Sequence, residues 1–414
     1  MTGGESSEAR DIAEAVARRS YGKLLAFLAA SMRDVSAAED ALADAFASAL
    51  AEWPVKGCPA NPEAWLMTVA RRKIIDAVRR RKTREASAGE LLRLAEDVTV
   101  TDLAEIPDRR LALMFACAHP DIDASVRAPL IMQTVLGLNA NAIASAFLTS
   151  PAAMGKRLVR AKERIKESGI AFAVPERAEM PSRLEAVLDA IYAAFSEGWA
   201  DPGGTDVARR NFSEEAIFLA RLVADLLPQE PEALGLLALI LYTDARRSAR
   251  RDAQGEYVPL AEQIPASWDG DMIADAETAL RRAGTMQRFG RYQLEAALQS
   301  AHVHRCKTGA ENWAEIVQLY DALFALTSSP VVAINRAVAL AEVEGPQAGL
   351  ASLQTIASDT RLADYQPYWA ARADLLARSS NHAEAHQAYE TAIGLERDPA
   401  VKRFLRKRQM MLRN

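Results

Sequence analysis

Residues 61–84 run NPEAWLMTVARRKIIDAVRRRKTR. Pro62 suits the first turn of a helix, and no later Pro or Gly interrupts the stretch. At about 100° per residue, Leu66, Met67, Ala70, Ile74, Ala77 and Val78 share one broad face that must be buried. The opposite arc carries Trp65, Val69, Arg72, Lys73, Arg79 and Arg80, with Asp76 as its only acid. An ordinary core helix would not expose a tryptophan beside a line of guanidiniums. Two readings fit the segment alone. One is a solvated basic face; the other is a nucleic-acid surface, where arginines neutralise phosphates and the indole stacks on a base.

The rest of the composition predicts helices almost throughout. Of 414 residues, half are apolar and a quarter charged, as in a soluble globular protein of two to four domains. Ala and Leu abound while β-branched alternation is scarce, so the expected fold class is all-α. Cys58, Cys117 and Cys306 are too few and scattered for a disulfide framework or zinc knuckle, and they fit a reducing cytoplasm. The start, MTGGESSEAR, lacks the pattern of a signal peptide. The longest apolar run, Leu234 to Tyr242, is too short to cross a bilayer. The expected location is the cytoplasm, with no membrane partner. The net charge of -5 is uneven. Residues 1–85 sum to +2, residues 86–174 to zero and the remainder to -7. Basic residues cluster between Arg71 and Arg84, and local fields matter more than the total.

In chain order, Ile12 to Ala30 reads as an amphipathic helix with Val16, Leu24, Phe27 and Leu28 inward. A second helix is expected to open at Ser36, with Glu39 completing a capping box, and to end near Trp53. Leu42, Ala45, Phe46, Ala49 and Leu50 form its stripe. Its other face sets Asp40 and Asp44 four residues apart beside Glu39. Like charges at that spacing are mildly destabilising, so either an external cationic partner or simple solvation accounts for them. The loop PVKGCPANP follows, too rich in Pro and Gly for helix, and could hold an unstacked base. From Glu85 to Asp108 the pattern lapses into an acidic linker. Helices resume at Leu111–Ala118 and Ala124–Leu136, ended by Gly137. Asn139 caps a short helix burying Ile143 and Phe147. After a tight junction, Ser150 and Pro151 open a longer helix burying Met154, Leu158 and Ile165. That helix displays Lys156 and Arg160, with Arg157 and Lys162 nearby. Short helix, tight turn and basic helix make a helix-turn-helix pattern, whose second helix enters the major groove.

Three motifs in this order, AEDALADAFASAL, NPEAWLMTVARRKIIDAVRRR and LNANAIASAFLTSPAAMGKRLVRAKERI, resemble bacterial RNA polymerase sigma factors of the extracytoplasmic-function class. The resemblance covers about the first 170 residues. It implies that the acidic helix, through Glu39, Asp40 and Asp44, docks on core polymerase, chiefly the β′ subunit with β as a further partner. It implies that Asn61, Trp65, Arg72, Lys73, Arg79 and Arg80 melt and read the -10 element of promoter DNA. Ser150, Lys156, Arg157 and Arg160 would read the -35 element. Two positions depart from the family pattern. Gly155 stands where a basic residue is usual, and Arg71-Arg72 where the melting helix has Arg-Asn. The implied domains are 8–84, a linker at 85–106, 107–172, and 175–414.

Beyond Pro175 the chain is again helical. Trp369, Ala373, Leu376, Ala385, Tyr389 and Ala392 follow the large-small-large spacing of a tetratricopeptide repeat. Ala333, Ala337, Leu340, Gly349 and Leu353 keep the same phase about 36 residues earlier. A long extension of this type resembles one group of the same class, in which it takes over regulation in cis, in response to a small molecule or protein. Residues 250–271 interrupt the pattern, and the Arg- and Asp-rich segment around them reads as a solvated loop or as a contact to the sigma domains or a ligand. His302, His304 and Cys306 do not face one way on a helix and no carboxylate completes the set, so no metal is expected. No P-loop, dinucleotide fingerprint or zinc-protease signature occurs; neither a cofactor nor catalysis is expected. The other reading of the whole chain is a helix-turn-helix regulator or tetratricopeptide scaffold that never binds polymerase.

Overall fold

The computed structural model describes residues 3–82, 108–146, 149–176, 179–199 and 207–413. Among them the fold is all-α, as expected, and no strand occurs beyond one isolated bridge between Arg251 and Tyr257. Two compact units divide the chain, one of residues 1–198 and 208–216, the other of residues 199–207 and 217–414. The expected linker at 85–106 and Phe147 lie outside the described residues.

The first unit holds α1 (Gly3–Met32), α2 (Val35–Lys56), α3 (Pro62–Lys82), α4 (Arg110–Cys117), α5 (Ala124–Thr134), α6 (Ala140–Ala146) and α7 (Pro151–Glu167). To these it adds most of α8 (Met180–Trp199) and part of α9 (Val207–Leu226). α1 is the hub and packs on α2, α3, α4 and α5. Leu24, Leu25, Leu28, Leu42, Leu66, Met67, Met114 and Phe115 are sealed from solvent. Burying each such side chain stabilises the fold by about 1.5–3 kcal/mol before entropy is counted. The crossing of α1 and α5 is tight. A Cβ on Gly22 would lie 1.9 Å from the carbonyl oxygen of Val135, so glycine is required there by space rather than by backbone torsion.

α2 departs from the sequence reading at both ends. Its cap is Asp34, which accepts from the Ala37 amide at 3.0 Å, and Ser36 already lies inside the helix. The helix also continues through Pro54 to Lys56, where a loop was expected. Pro54 sits in the last turn; the carbonyl its missing N–H would have met belongs to Leu50, which is 51% exposed and open to water. Gly57, at φ +83°, then ends the helix and donates to the Trp53 carbonyl at 3.0 Å. The inward residue of that end is Trp53, 2% exposed, and Leu50 faces out.

In the second unit α10 (Pro231–Asp244) is buried along nearly its whole length. α11 (Gly270–Gly284) and α12 (Arg291–Thr308) pack on it. The Glu232 carboxylate accepts from the amides of Tyr292 and Gln293 at 2.9 and 3.1 Å, capping the start of α12. α13 (Trp313–Thr327), α14 (Pro330–Glu344), α15 (Pro346–Gln354), α16 (Gln366–Arg378), α17 (His382–Leu395) and α18 (Pro399–Met410) follow, each packed on the next. The small residues of the repeat reading sit where these helices meet: Ala337, Ala373, Ala385 and Ala392 are fully buried, and a Cβ on Gly349 would meet the Ala337 carbonyl at 2.8 Å. Trp369 is half-buried and donates to the Ala363 carbonyl at 2.9 Å.

Candidate nucleic-acid and polymerase-binding surfaces

Asn61 caps α3: its side-chain oxygen accepts from the Ala64 amide at 3.1 Å, which orients the helix that follows. Trp65 is not a free ring. It is half-buried and meets Trp53 edge-on, with centroids 5.4 Å apart and planes at 65°, so the indole is held by α2 and offers only part of its surface. Arg72 and Lys73 are exposed, and no carboxylate among the described residues lies within ion-pair distance of either. The side chains of Arg79 and Arg80 lie outside the described residues.

Arg71 behaves differently from its neighbour. It is 9% exposed, and its guanidinium lies 5.3 Å from the centre of the Phe27 ring on α1, where burial lowers its pKa. Arg109 approaches the same ring at 5.5 Å. The Arg71-Arg72 pair thus splits into a cation–π strut inside and a free charge outside. Spacing held the signal, because Arg71 lies four residues after Met67 and three before Ile74, both buried.

On α7, Ser150 accepts from the Ala153 amide at 3.3 Å, the cap expected of it. Met154, Leu158 and Ile165 are buried. Lys156, Arg157 and Arg160 are exposed, with no carboxylate of the described residues within ion-pair distance. Val159, 55% exposed, stands among them. A Cβ on Gly155 would meet nothing within 4 Å, so packing inside the protein does not demand glycine there.

Lys162 corrects the expectation that it joins this basic face. It is 9% exposed and donates to Glu39 of α2 at 2.6 Å. One turn on, Lys166 pairs with Asp34 at 2.8 Å. Glu39 is therefore engaged inside the unit, while Asp40 and Asp44 remain exposed with no basic partner at ion-pair distance among the described residues.

A second buried charge set anchors α4. Arg110, 6% exposed, bonds Asp108 at 2.9 Å and also pairs with Glu215 of α9. Burial alone would raise the Asp108 pKa, but bonds from Arg110 outweigh it and hold the carboxyl low. Burial pushes Glu215 up in spite of Arg110. Cys117 is fully buried against Thr134, 3.6 Å away, and burial pushes its thiol up to about 12, leaving it inert. Among the described residues no group of His, Cys, Asp and Glu could hold a metal ion, and no helix is long and apolar enough to cross a membrane.

Residues 16–84, which span most of α1 and all of α2 and α3, match the model of sigma-70 region 2. Residues 183–284 match a family of unknown function, DUF6596. Over 403 residues the chain is 37% identical to the uncharacterized protein R00370 of Rhizobium meliloti (strain 1021), covering 96% of this chain and 94% of that protein. No solved structure matches.

Proposed function

We propose a function from one premise: the chain belongs to the family of R00370 and carries sigma-70 region 2, the part of sigma factors that binds core RNA polymerase. It is an alternative sigma factor of the extracytoplasmic-function class, acting in the cytoplasm on a small set of promoters. The region 2 match carries this reading, because it falls on the helices that present Asp40 and Asp44 on one surface and Arg72 and Lys73 on another. Asp40 and Asp44 dock on polymerase, and Arg72 and Lys73 hold the melted strand of the -10 element. Trp65, half-buried and held edge-on by Trp53, stacks from a fixed position rather than swinging free. α6 and α7 act as a helix-turn-helix on the -35 duplex through Lys156, Arg157 and Arg160.

The second unit, a tetratricopeptide-like stack, regulates this activity in cis. Its size supports the idea, and so does the exposed basic face of α7, which is free to take an acidic competitor. Run-off transcription with purified core polymerase and genomic templates tests the first claim. Discrete transcripts that vanish without the protein are expected; no transcripts and no co-purification with core would overturn it. A chain ending after Glu176 is expected to change transcript yield, in either direction.

A further inference from the structure

The segment between α10 and α11 is not merely solvated. It crosses to the last helices of the second unit: Arg251 pairs with Asp398, Arg403 bonds Glu256 at 2.8 Å, and Tyr257 meets Phe404 edge-on at 5.4 Å. Its arginines divide into two kinds. Arg247 and Arg251 have carboxylate partners, Asp244 at 2.6 Å and Asp398. Arg246 and Arg250 have none among the described residues. Arg246 donates to the Tyr242 carbonyl at 3.3 Å and to the Gln299 side-chain oxygen at 2.5 Å, both neutral. Arg250 donates to the Trp199 carbonyl at 2.8 Å and lies 4.2 Å from the centre of that indole.

α12, which Arg246 meets at Gln299, brings His302 near it and carries Arg305 beside His302 at the Trp313 ring. The Nδ1 of His302 and the Nε of Arg305 are both buried with no hydrogen-bond partner among the described residues. The Arg305 guanidinium lies over Trp313 at 4.4 Å. His302 stands in the field of both Arg246 and Arg305, and burial together with those charges pushes its pKa down to about 4. It is therefore neutral at pH 7. Burial first, then the repulsion of Arg250, lowers Arg246 to about 10, still a full positive charge at neutral pH. Tyr257 faces Arg246, Arg250 and Arg251, and the acids near the rim are Glu396, beside Tyr257, and Asp398, whose bond goes to Arg251.

Withdrawing a guanidinium from water without a counter-charge is costly. Elsewhere in this unit arginines meet that cost with carboxylates, as Arg336 does with Asp321 and Arg378 with Glu342. Here Arg246 and Arg250 are held only by neutral acceptors, Arg250 also lying over the Trp199 ring, and they keep N–H groups for something that is not part of the chain. Planar guanidinium forks match the oxygens of phosphate and carboxylate. We infer that Arg246, Arg250 and Arg305, with Tyr257 and His302 beside them, form a binding site for a small dianionic ligand of the phosphate or polycarboxylate class. Binding at this site is a property of the second unit and does not rest on the sigma-factor reading.

The test uses the full-length protein, with inorganic phosphate, diphosphate and citrate titrated against chloride at matched ionic strength. Calorimetry and thermal melting are expected to show saturable binding at one site by at least one of the three. A response to phosphate and diphosphate assigns the phosphoryl class; a response to citrate alone assigns the polycarboxylate class. Arg246→Gln with Arg250→Gln should weaken that binding at least tenfold. The melting temperature in chloride should not fall, because two repelling charges are removed. If the double variant does not fold, Arg305→Gln serves in its place, with at least a threefold loss expected. Arg288→Gln, a change at an exposed paired arginine, should leave binding intact. No saturable binding by any of the three anions, or equal binding by wild type and the folded variant, would overturn the site.

Discussion

The arginines proposed to meet a ligand are placed in opposite ways in the two units. In the first, Arg72, Arg157 and Arg160 sit on the outer faces of helices whose inner faces are sealed by leucine, methionine and isoleucine. In the second, Arg246 and Arg250, in the irregular segment after α10, are held by neutral oxygens and the Trp199 ring. The difference is one of scaffold. On a long amphipathic helix the 3.6-residue period decides which way a cation points, and the apolar stripe leaves it only water. In a segment of short turns no period applies, and the side chain goes wherever the crossing backbone carries it. On the function proposed above, the free cations on helices meet a large external partner. One gathered with others in an irregular segment is addressed to something small enough to enter.

The sharpest way to test that contrast is to take a guanidinium that is both buried and paired. Arg110→Ala leaves Asp108 and Glu215 facing each other without their cation, and should cost about 3 kcal/mol in denaturant unfolding, reduced by the partial exposure of both acids. A loss below about 1 kcal/mol would show that water already answers these charges. On the outward face, Lys156→Ala with Arg160→Ala should weaken DNA binding by roughly 1–3 kcal/mol for each side chain that bonds a base edge. Stability should change by under about 0.5 kcal/mol. Binding to a duplex -35 probe separates the two readouts, and a fall in stability of similar size would mean these residues hold the fold.

Smaller effects lie at the boundary between the two kinds. Lys162→Met keeps the buried stem of the side chain but removes its bond to Glu39, and should cost about 1 kcal/mol of stability. The freed Glu39 should strengthen association with core polymerase in a pull-down. Unchanged association would remove Glu39 from the docking face. Asp40→Lys with Asp44→Lys should alter stability least, under about 0.5 kcal/mol, yet weaken the same association.

Acidity gives the most selective signal. Because His302 titrates at about 4 in the folded protein and near 6.5 when unfolded, the unfolded chain takes up its proton first as pH falls. The stability it permits is complete above pH 6.5 and is lost between 6.5 and 4. His302→Gln should flatten the fall in melting temperature over that window relative to wild type, and parallel curves would show that the histidine is more open to water than its setting implies.

Most of the N-terminal architecture was legible because long amphipathic helices obey one period. The inward faces of α1 and α7 came out with the residues expected, as did Leu66, Met67, Ala70 and Ile74 of α3, while the side chains of Ala77 and Val78 lie outside the described residues. What stayed hidden depends on pairings far apart in the chain. Lys162 and Glu39 are 123 residues apart, and no local rule marks Lys162, rather than Lys156, Arg157 or Arg160, as taken. Trp65 looked exposed because its cover, Trp53, belongs to a helix that was expected to stop there. Ser36 and Asp34 are both able caps two residues apart, and the choice between them turns on where the chain leaves α1. The arginines between α10 and α11 were visible as a composition, but their division into paired and unpaired rests in part on the crossing that brings Asp398 to Arg251. No pattern in the segment announces that crossing.

The close approach of Gly22 to Val135 constrains how the first unit can move. A shift of α1 by one residue along its axis would drive Tyr21 or Lys23 into the Val135 carbonyl, and the next glycine toward the N-terminus, Gly4, is about five turns away. The crossing therefore allows α1 and α5 to part but forbids them to slide. Any rearrangement of these two helices begins as a lift and not as a gradual shear.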